Sequence, residues 1–452
     1  MNQTESLAPT DETLPAPRAF VHGIRRTFAA ALRSQGLLAV VDQGVVSGAS
    51  FLTSVIIGRA LGKENLGVYT LALSVLLFAR GVQGDLISAP YMMYCNRRRG
   101  KDLATYSGSS LIHELAFLAV SVVALLSVMA CFWFRSGPTG LKTVMLALSG
   151  ALPFLLLREF MRLFSFSHLR MRPALATDVL IAVIQIGVLA LFARLHILTV
   201  EAAFITMGAA CAIACGGWFL AERHPLQFGR EPIVAHWREN WSFSRWALAG
   251  QLVNRGAGYL TPWIVALAHG DAATGVLAAC TVLVNLAGTF VAGVANFLTP
   301  RGAKAFAGGG VDELLRVLAR TTAVFVVVIG TFCLVIWQFG DPLLQLIYGN
   351  RYSGLGLVLT VLAVGTLANS LGIVAGNGLW AIDHPGSNFA ADVAMLIVSV
   401  GLLAALIGPL GVLGAALASC GGSFAGAAIR WFVLSKLIAE IRRPPQLQAS
   451  NL

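Results

Sequence analysis

The sequence predicts an all-α integral membrane protein, with twelve transmembrane helices in two six-helix lobes related by a pseudo-two-fold axis along the membrane normal. Three observations lead there. The chain is strongly apolar: mean hydropathy is +0.77 and hydrophobic residues make up 57%. Charged residues are only 12%, against about 25% in a soluble domain. Apolar runs of 18 or more residues recur along nearly the whole length, which is the signal of membrane spans. The second observation is an internal duplication. Residues 43–68, shifted by 208, fall without a gap on 251–276, and eleven of the 26 positions are identical, among them Gln43/Gln251, Gly48/Gly256, Gly62/Gly270 and Gly67/Gly275. Each copy reads as an apolar segment, a Gly-bounded turn and the start of a second apolar segment, a helical hairpin through a membrane. The third is a lopsided distribution of Lys and Arg between alternate loops, taken up below.

In chain order, residues 1–17 are polar and acidic, the composition of a disordered tail. Over 18–35, Phe20, Ile24, Phe28 and Leu32 recur at helical spacing beside Arg18, Arg25, Arg26 and Arg33. That pattern fits a basic helix lying on an anionic membrane surface, or equally the charged flank of the first span. Twelve spans follow, at 37–60, 66–92, 108–134, 143–166, 174–194, 202–221, 245–268, 272–298, 318–339, 354–381, 389–408 and 411–435. They divide into a cytoplasmic tail (1–36), an N-lobe (37–221), a cytoplasmic linker (222–244), a C-lobe (245–437) and a second cytoplasmic tail (438–452). With the N-terminus inside, the inner segments hold 23 Lys and Arg and the outer loops six, a strong positive-inside bias. Both termini are then cytoplasmic. An offset of six spans is even, so both copies of the repeat enter the membrane from the same side. The symmetry axis therefore runs along the membrane normal, and a path between the halves is expected to be lined by spans 1, 2, 7 and 8.

The net charge of +11 would suggest nucleic acid in a soluble protein. Here it sits in short loops, where membrane topology accounts for it, so no nucleic-acid partner is expected. Six of the seven cysteines lie inside apolar spans, so neither a disulfide framework nor a metal site is indicated, and no cofactor. Cys211 and Cys215 share a helix face but lack further ligands.

Charge inside a membrane costs about 2.5–3.5 kcal/mol per residue on insertion scales and marks function by default. Arg80 lies near the middle of span 2, and Arg255 lies deep in span 7 beside Gln251 and Asn254. Asn285 is mid-span in helix 8, Asp42 and Gln43 are in span 1, and Asp85 is in span 2. All belong to the four spans that topology selects. Arg80, Arg255, Gln43, Gln251, Asn254 and Asn285 are the candidate ligand-binding residues; Asp42 and Asp85 are candidates for ion coupling. Each has a structural alternative, such as Arg80 pairing with Asp85 or Asp42. Arg158, Glu159 and Arg162, near the inner end of span 4, read as snorkelling side chains with a local ion pair, and Arg430 as snorkelling too. His113, Glu114, Asp178 and Asp392 carry no special weight. Gly81, Gly84, Pro90, Pro262, Gly288, Gly293 and Pro300 punctuate spans 2, 7 and 8 and allow bends and close helix contacts.

The segment VDQGVVSGASFLTSVIIGRALGKENLGVYTLALSVL (Val41 to Leu76) resembles the opening of bacterial polysaccharide flippases. LLQLIYGNRYSG (Leu343 to Gly354) is similar to the stretch before their tenth span. Over about 37–437 the chain thus resembles the O-antigen and exopolysaccharide flippases of the multidrug/oligosaccharidyl-lipid/polysaccharide exporter superfamily. The resemblance implies two rocking six-helix lobes in the bacterial inner membrane. They would move an undecaprenyl-pyrophosphate-linked oligosaccharide between leaflets and work beside polysaccharide polymerase and chain-length machinery. A pyrophosphate needs a hydrated cationic cavity, and the guanidinium fork suits paired phosphate oxygens. Arg80 and Arg255 fit that need, with Gln43, Gln251, Asn254 and Asn285 toward the first sugars.

Two rival readings stand beside it. A drug or cation antiporter of the same superfamily should offer a carboxylate, whereas the deepest charges here are basic. A membrane-embedded polymerase or ligase needs a large outer loop with catalytic groups. The connection at about 340–353 has Asp341, Arg351 and Tyr352 but no acid–base cluster, so an enzyme is not expected.

Overall fold

The computed structural model describes residues 35–133, 139–221 and 226–442. The basic segment at 18–35, but for Gln35 at the start of the first helix, the polar N-terminal tail and the last ten residues lie outside the described residues, as does Arg135. Among the described residues every regular element is helical. Nine helices are long and apolar enough to cross a membrane. Two of them are broken by glycines with positive φ: Gly270 and Gly310 in one, Gly411 in the other. Divided at these three glycines, the chain forms twelve spans. They are α1 (Gln35–Leu61), α2 (from Lys63 to Tyr94), α3 (Gly100–Trp133), α4 (Thr139–Ser167), α5 (Met171–Arg194) and α6 (Val200–Ala221) in one lobe. The other lobe has α7 (230–269), α8 (271–309), α9 (311–348), α10 (Gly356–Ala381), α11 (385–410) and α12 (412–441).

The duplicated hairpin is a structural duplication. Gly62 separates α1 from α2 with φ 89° and ψ −175°; its repeat partner Gly270 separates α7 from α8 with φ 81° and ψ 179°. That backbone is open to glycine and strained for other residues, so the turn holds one residue type at both places. The symmetry is also visible where the lobes meet. A Cβ on Gly67 would lie 1.9 Å from the Asp271 carbonyl oxygen, and one on Gly275 would lie 1.9 Å from the Lys63 carbonyl oxygen. Gly67 and Gly275 are repeat partners, as are Lys63 and Asp271. The two contacts are therefore one contact seen twice, as a two-fold axis between the starts of α2 and α8 demands.

Around this crossing the turn end of the bundle is packed shut. The Tyr348 ring lies against Gly58, the Tyr352 hydroxyl donates to the Gly58 carbonyl at 3.4 Å, and Arg59 donates to the Leu346 carbonyl at 3.3 Å. The Trp263 indole N–H donates to Ser74 Oγ at 2.8 Å, tying α7 to α2. Inside the lobes, small residues let backbones approach: Gly208 meets Ala151 between α6 and α4, and Gly365 and Gly372 meet Cys420 and Ala427 between α10 and α12.

Two helices depart from plain spans. Helix α2 continues past Pro90. It passes through a π turn, Gly84–Ser88, and runs on to Tyr94. Pro90 has no N–H for the Leu86 carbonyl, and the Ser244 hydroxyl of α7 donates to that carbonyl instead, at 3.3 Å. Helix α7 begins at Arg230, well inside the segment expected as a linker. Its first turns dock on α3 and the turn before it: Tyr106 donates to Asn240 at 2.8 Å, His236 pairs with Ser109 at 2.9 Å, and Arg98 meets Glu239 at 2.6 Å. Residues 230–244 are too polar to read as a span, yet their helix is held by these partners from the neighbouring lobe.

Replacing Gly67 or Gly275 by alanine is expected to cost about 1–3 kcal/mol through forced separation of two backbones. It should lower the thermal unfolding midpoint and the folded yield in detergent size-exclusion chromatography. Gly48→Ala, where a Cβ meets nothing within 4 Å, should leave both unchanged.

Candidate functional site

Between the lobes lies a polar cavity of about 630 Å³, lined by α2 (Leu77, Arg80, Gly81, Gly84), α4 (Glu159, Leu163) and α7 (Gln251, Asn254, Arg255, Gly258, Tyr259). Arg80 is about 26 Å along α2 from the Gly62 turn and Arg255 about 21 Å along α7 from Gly270, at about 1.5 Å per residue. The cavity thus sits beyond the closed turn end. Gly81 lies against α7: a Cβ there would be 2.2 Å from the Gln251 amide nitrogen and 3.0 Å from the Tyr259 hydroxyl, so a larger residue would push these two side chains aside.

Four of the six sequence-selected residues, Arg80, Gln251, Asn254 and Arg255, come together in this one cavity. Gln43 and Asn285 do not line it. Gln43 is exposed on α1, where it donates to Ser47 at 3.3 Å and accepts from Arg162 at 3.3 Å. Asn285 is exposed on α8. The cavity walls are accordingly α2, α4 and α7, not spans 1, 2, 7 and 8. Helix α4 enters because it crosses the N-lobe behind α2 and delivers Glu159 to Arg80.

The pairing of Arg80 also differs from both alternatives. Its partner is Glu159, at 2.7 Å, rather than Asp42 or Asp85. Glu159 in turn meets Arg158 and Arg162, each at 3.5 Å. Arg158 donates to Asp178 Oδ1 from Nε at 2.9 Å and from Nη2 at 2.5 Å. Arg162 lies 3.0 Å from Asp178 Oδ2 and donates to Asp42 Oδ2 from Nε at 2.9 Å and from Nη2 at 2.5 Å. Three arginines and three carboxylates from α1, α2, α4 and α5 thus form one charge-balanced chain. Glu159, Arg162 and Asp178 are each under 10% exposed, and Asp42 is wholly buried. Arg158, Glu159 and Arg162 therefore do not snorkel; they are the hub of the lobe. Arg430 does not snorkel either. It is buried, paired with Asp392 and hydrogen-bonded to Asn388 at 3.3 Å. Asp392 also accepts from cavity-lining Asn254 at 2.9 Å.

Asp178 and Asp392 are the residues that sequence reasoning passed over. Each is the eighth residue of its helix, α5 or α11, and each is clamped by an arginine. A second offset would have found them. Shifted by 214, residues 174–200 match 388–414 at Ala176/Ala390, Asp178/Asp392, Val179/Val393, Gly187/Gly401, Leu189/Leu403 and Ala190/Ala404. The change from 208 to 214 hides this copy from a search that keeps one offset.

The remaining charges are Asp85 and Arg255. Asp85 sits in the π turn of α2, with one carboxylate oxygen buried and without a hydrogen-bond partner, within the field of Arg255. Arg255 makes no ion pair within 4 Å among the described residues and is exposed to the cavity. No cluster of metal-ligating side chains occurs among the described residues.

No family model and no curated protein sequence matches the chain. Solved structures do. An inward-facing multidrug resistance MATE family transporter of the MOP superfamily superposes with a TM-score of 0.72 at 14% identity, covering 90% of this chain and 99% of that one. The lipid II flippase MurJ, in an inward closed conformation, gives 0.72 at 15% identity over 88% of this chain and 87% of that one. An outward-facing MATE family transporter gives 0.63 at 13% identity over 92% and 96%. The chain has their twelve-helix, two-lobe membrane fold.

Breaking a buried ion pair by removing one partner costs about 3–5 kcal/mol. Asp178→Asn is expected to destabilise the protein on that scale, read as a drop in unfolding temperature in detergent. Asp85→Asn, which removes no ion pair, should unfold close to wild type.

Proposed function

We propose that the protein is a lipid-linked oligosaccharide flippase of the bacterial inner membrane. It would carry polyprenyl-pyrophosphate-linked repeat units from the cytoplasmic to the periplasmic leaflet for surface polysaccharide synthesis. The observation that carries this reading is the charge balance of the cavity. Its walls hold two arginines, one from each lobe, and one carboxylate, Glu159, which three arginines already engage. What remains for a ligand is net positive, led by Arg255. A diphosphate is a ligand that both guanidinium groups can grip at once, and gripping it from both sides couples binding to the position of the lobes. A cationic drug would meet no available carboxylate there, which sets the antiporter reading second even though multidrug transporters share the fold.

In this proposal the positive-inside bias places both termini and the docked start of α7 in the cytoplasm. The closed turn end then faces the periplasm, and the lobes comprise helices over 35–221 and 230–441. Gln251 and Asn254 contact the headgroup beside the arginines, while the polyprenyl tail stays in lipid. Exposure to the other side follows from rocking of the lobes about the α2–α8 crossing. Of the two candidates for ion coupling, Asp42 is spent on Arg162, and Asp85, with an unpartnered oxygen within the field of Arg255, is the better placed.

The test is translocation of a fluorescent undecaprenyl-pyrophosphate-linked sugar in proteoliposomes, together with restoration of surface polysaccharide in a deletion strain. Arg255→Ala is expected to abolish both, Arg255→Lys to retain part of the activity, and Asn285→Ala to act like wild type, at equal membrane levels. If the deletion strain makes normal polysaccharide and the vesicles instead accumulate a cationic dye, the flippase reading is wrong and the antiporter takes its place.

A further inference from the structure

A second cavity, of about 800 Å³, lies at the lobe boundary on the other side of α2. On α2 the polar cavity takes Leu77, Arg80, Gly81 and Gly84, whereas this groove takes Leu71, Val75, Phe78 and Val82, which fall on the opposite flank of the same helix. The packed α2–α7 seam separates the two, with Phe78 edge-on to Tyr259 at 5.7 Å between ring centroids and Trp263 bonded to Ser74. A chain whose headgroup sits in the polar cavity therefore does not reach this groove through the seam, and the groove is a separate site.

Its walls are α2, α3 and α4 from one lobe and α7 from the other. Apart from Ser121 of α3 they are apolar except at one end. There Lys142, near the start of α4, and Asp271, the first residue of α8, bring one positive and one negative charge to the rim. From Lys142 to the deepest α4 residue, Leu152, the groove is about 15 Å long at about 1.5 Å per residue. That is one leaflet of a hydrocarbon core about 30 Å thick. Val120, at 65% exposure, and Val128, at 52%, leave the groove open outward.

We propose that this groove is a lipid site that holds one acyl chain of a zwitterionic aminophospholipid from the leaflet at the turn end. Its phosphate meets Lys142 and its ammonium group meets Asp271. The apolar walls select a chain, their length selects one leaflet, and the paired charges select a headgroup of both signs. Because one wall belongs to the other lobe, a bound lipid wedges the boundary and favours the lobe arrangement seen here.

The experiment is native mass spectrometry of the full-length protein titrated with phosphatidylethanolamine, phosphatidylglycerol and diacylglycerol. Wild type is expected to retain one phosphatidylethanolamine in preference to the other two. Filling the groove from its membrane-facing side with Val120→Trp and Val128→Trp should remove that lipid. Lys142→Gln, at the rim and outside the packed core, should weaken retention about fivefold, the equivalent of about 1 kcal/mol for one basic residue at a membrane surface. Asp271→Asn, which keeps the backbone carbonyl that meets Gly67, should abolish the preference for phosphatidylethanolamine over phosphatidylglycerol. Equal retention by wild type and the Trp-filled variant overturns the site. Retention that is lost on filling but indifferent to headgroup and to both rim substitutions overturns the lipid class assigned to it.

Discussion

The architecture depends on one close contact, made twice. Where α2 and α8 begin, each backbone lies against the other with no room for a side chain, at Gly67 on Asp271 and at Gly275 on Lys63. A glycine pair at repeat-equivalent positions lets the lobes touch at the turn end and fixes the axis between them. The Gly62 and Gly270 turns deliver the helices to that crossing at the same angle, since both adopt the same left-handed backbone. The polar cavity lies between the lobes beyond that crossing, with Arg80 on the α2 wall and Arg255 on the α7 wall.

Electrostatics inside the N-lobe follow from the cost of isolated charge in hydrocarbon. The lobe meets that cost by assembling three arginines and three carboxylates from four helices into one neutral chain, so each of these six groups has an oppositely charged partner. The end of that chain is Arg80, about a third exposed to the cavity. Its other members are sealed, which gives Arg80 a fixed position. Arg255, across the cavity, has no such anchor. One guanidinium is thus preorganised and the other adaptable, an arrangement suited to a ligand that must be gripped and then released as the lobes move.

The C-lobe repeats this logic with fewer charges. Asp392 holds Arg430 and reaches the cavity through Asn254, as Asp178 reaches it through Arg158 and Glu159. The two lobes are therefore alike in having an aspartate on the fifth helix wired to the cavity wall. They differ in how many arginines stand between.

Much of the fold was legible in the chain. Hydropathy marked all twelve spans, because the cost of exposing polar backbone in lipid makes each span a self-contained helix; it did not mark how far some helices run on past the apolar stretch, as at the start of α7, the start of α3 and the ends of α8 and α9. The repeat placed the two hairpins and their turns. Depth picked out Arg80 and Arg255, since a charge far from either membrane surface is conspicuous in one dimension. The rest needed contacts between residues far apart in sequence. Glu159 looked like a snorkelling end-of-helix residue until α4 was seen to pass behind α2. Gln43 and Asn285 sat at suitable depth but on other helix faces, and depth does not fix rotation. The docked start of α7 is too polar to announce itself and is helical because α3 holds it. The sequence by itself determined how many times the chain crosses the membrane and where its charges lie along each helix, because those follow from local hydropathy. Only the tertiary structure decided which charges meet, because that depends on how each helix is turned and crossed against its neighbours, from 20 residues away for Arg158 and Asp178 to 120 for Arg162 and Asp42.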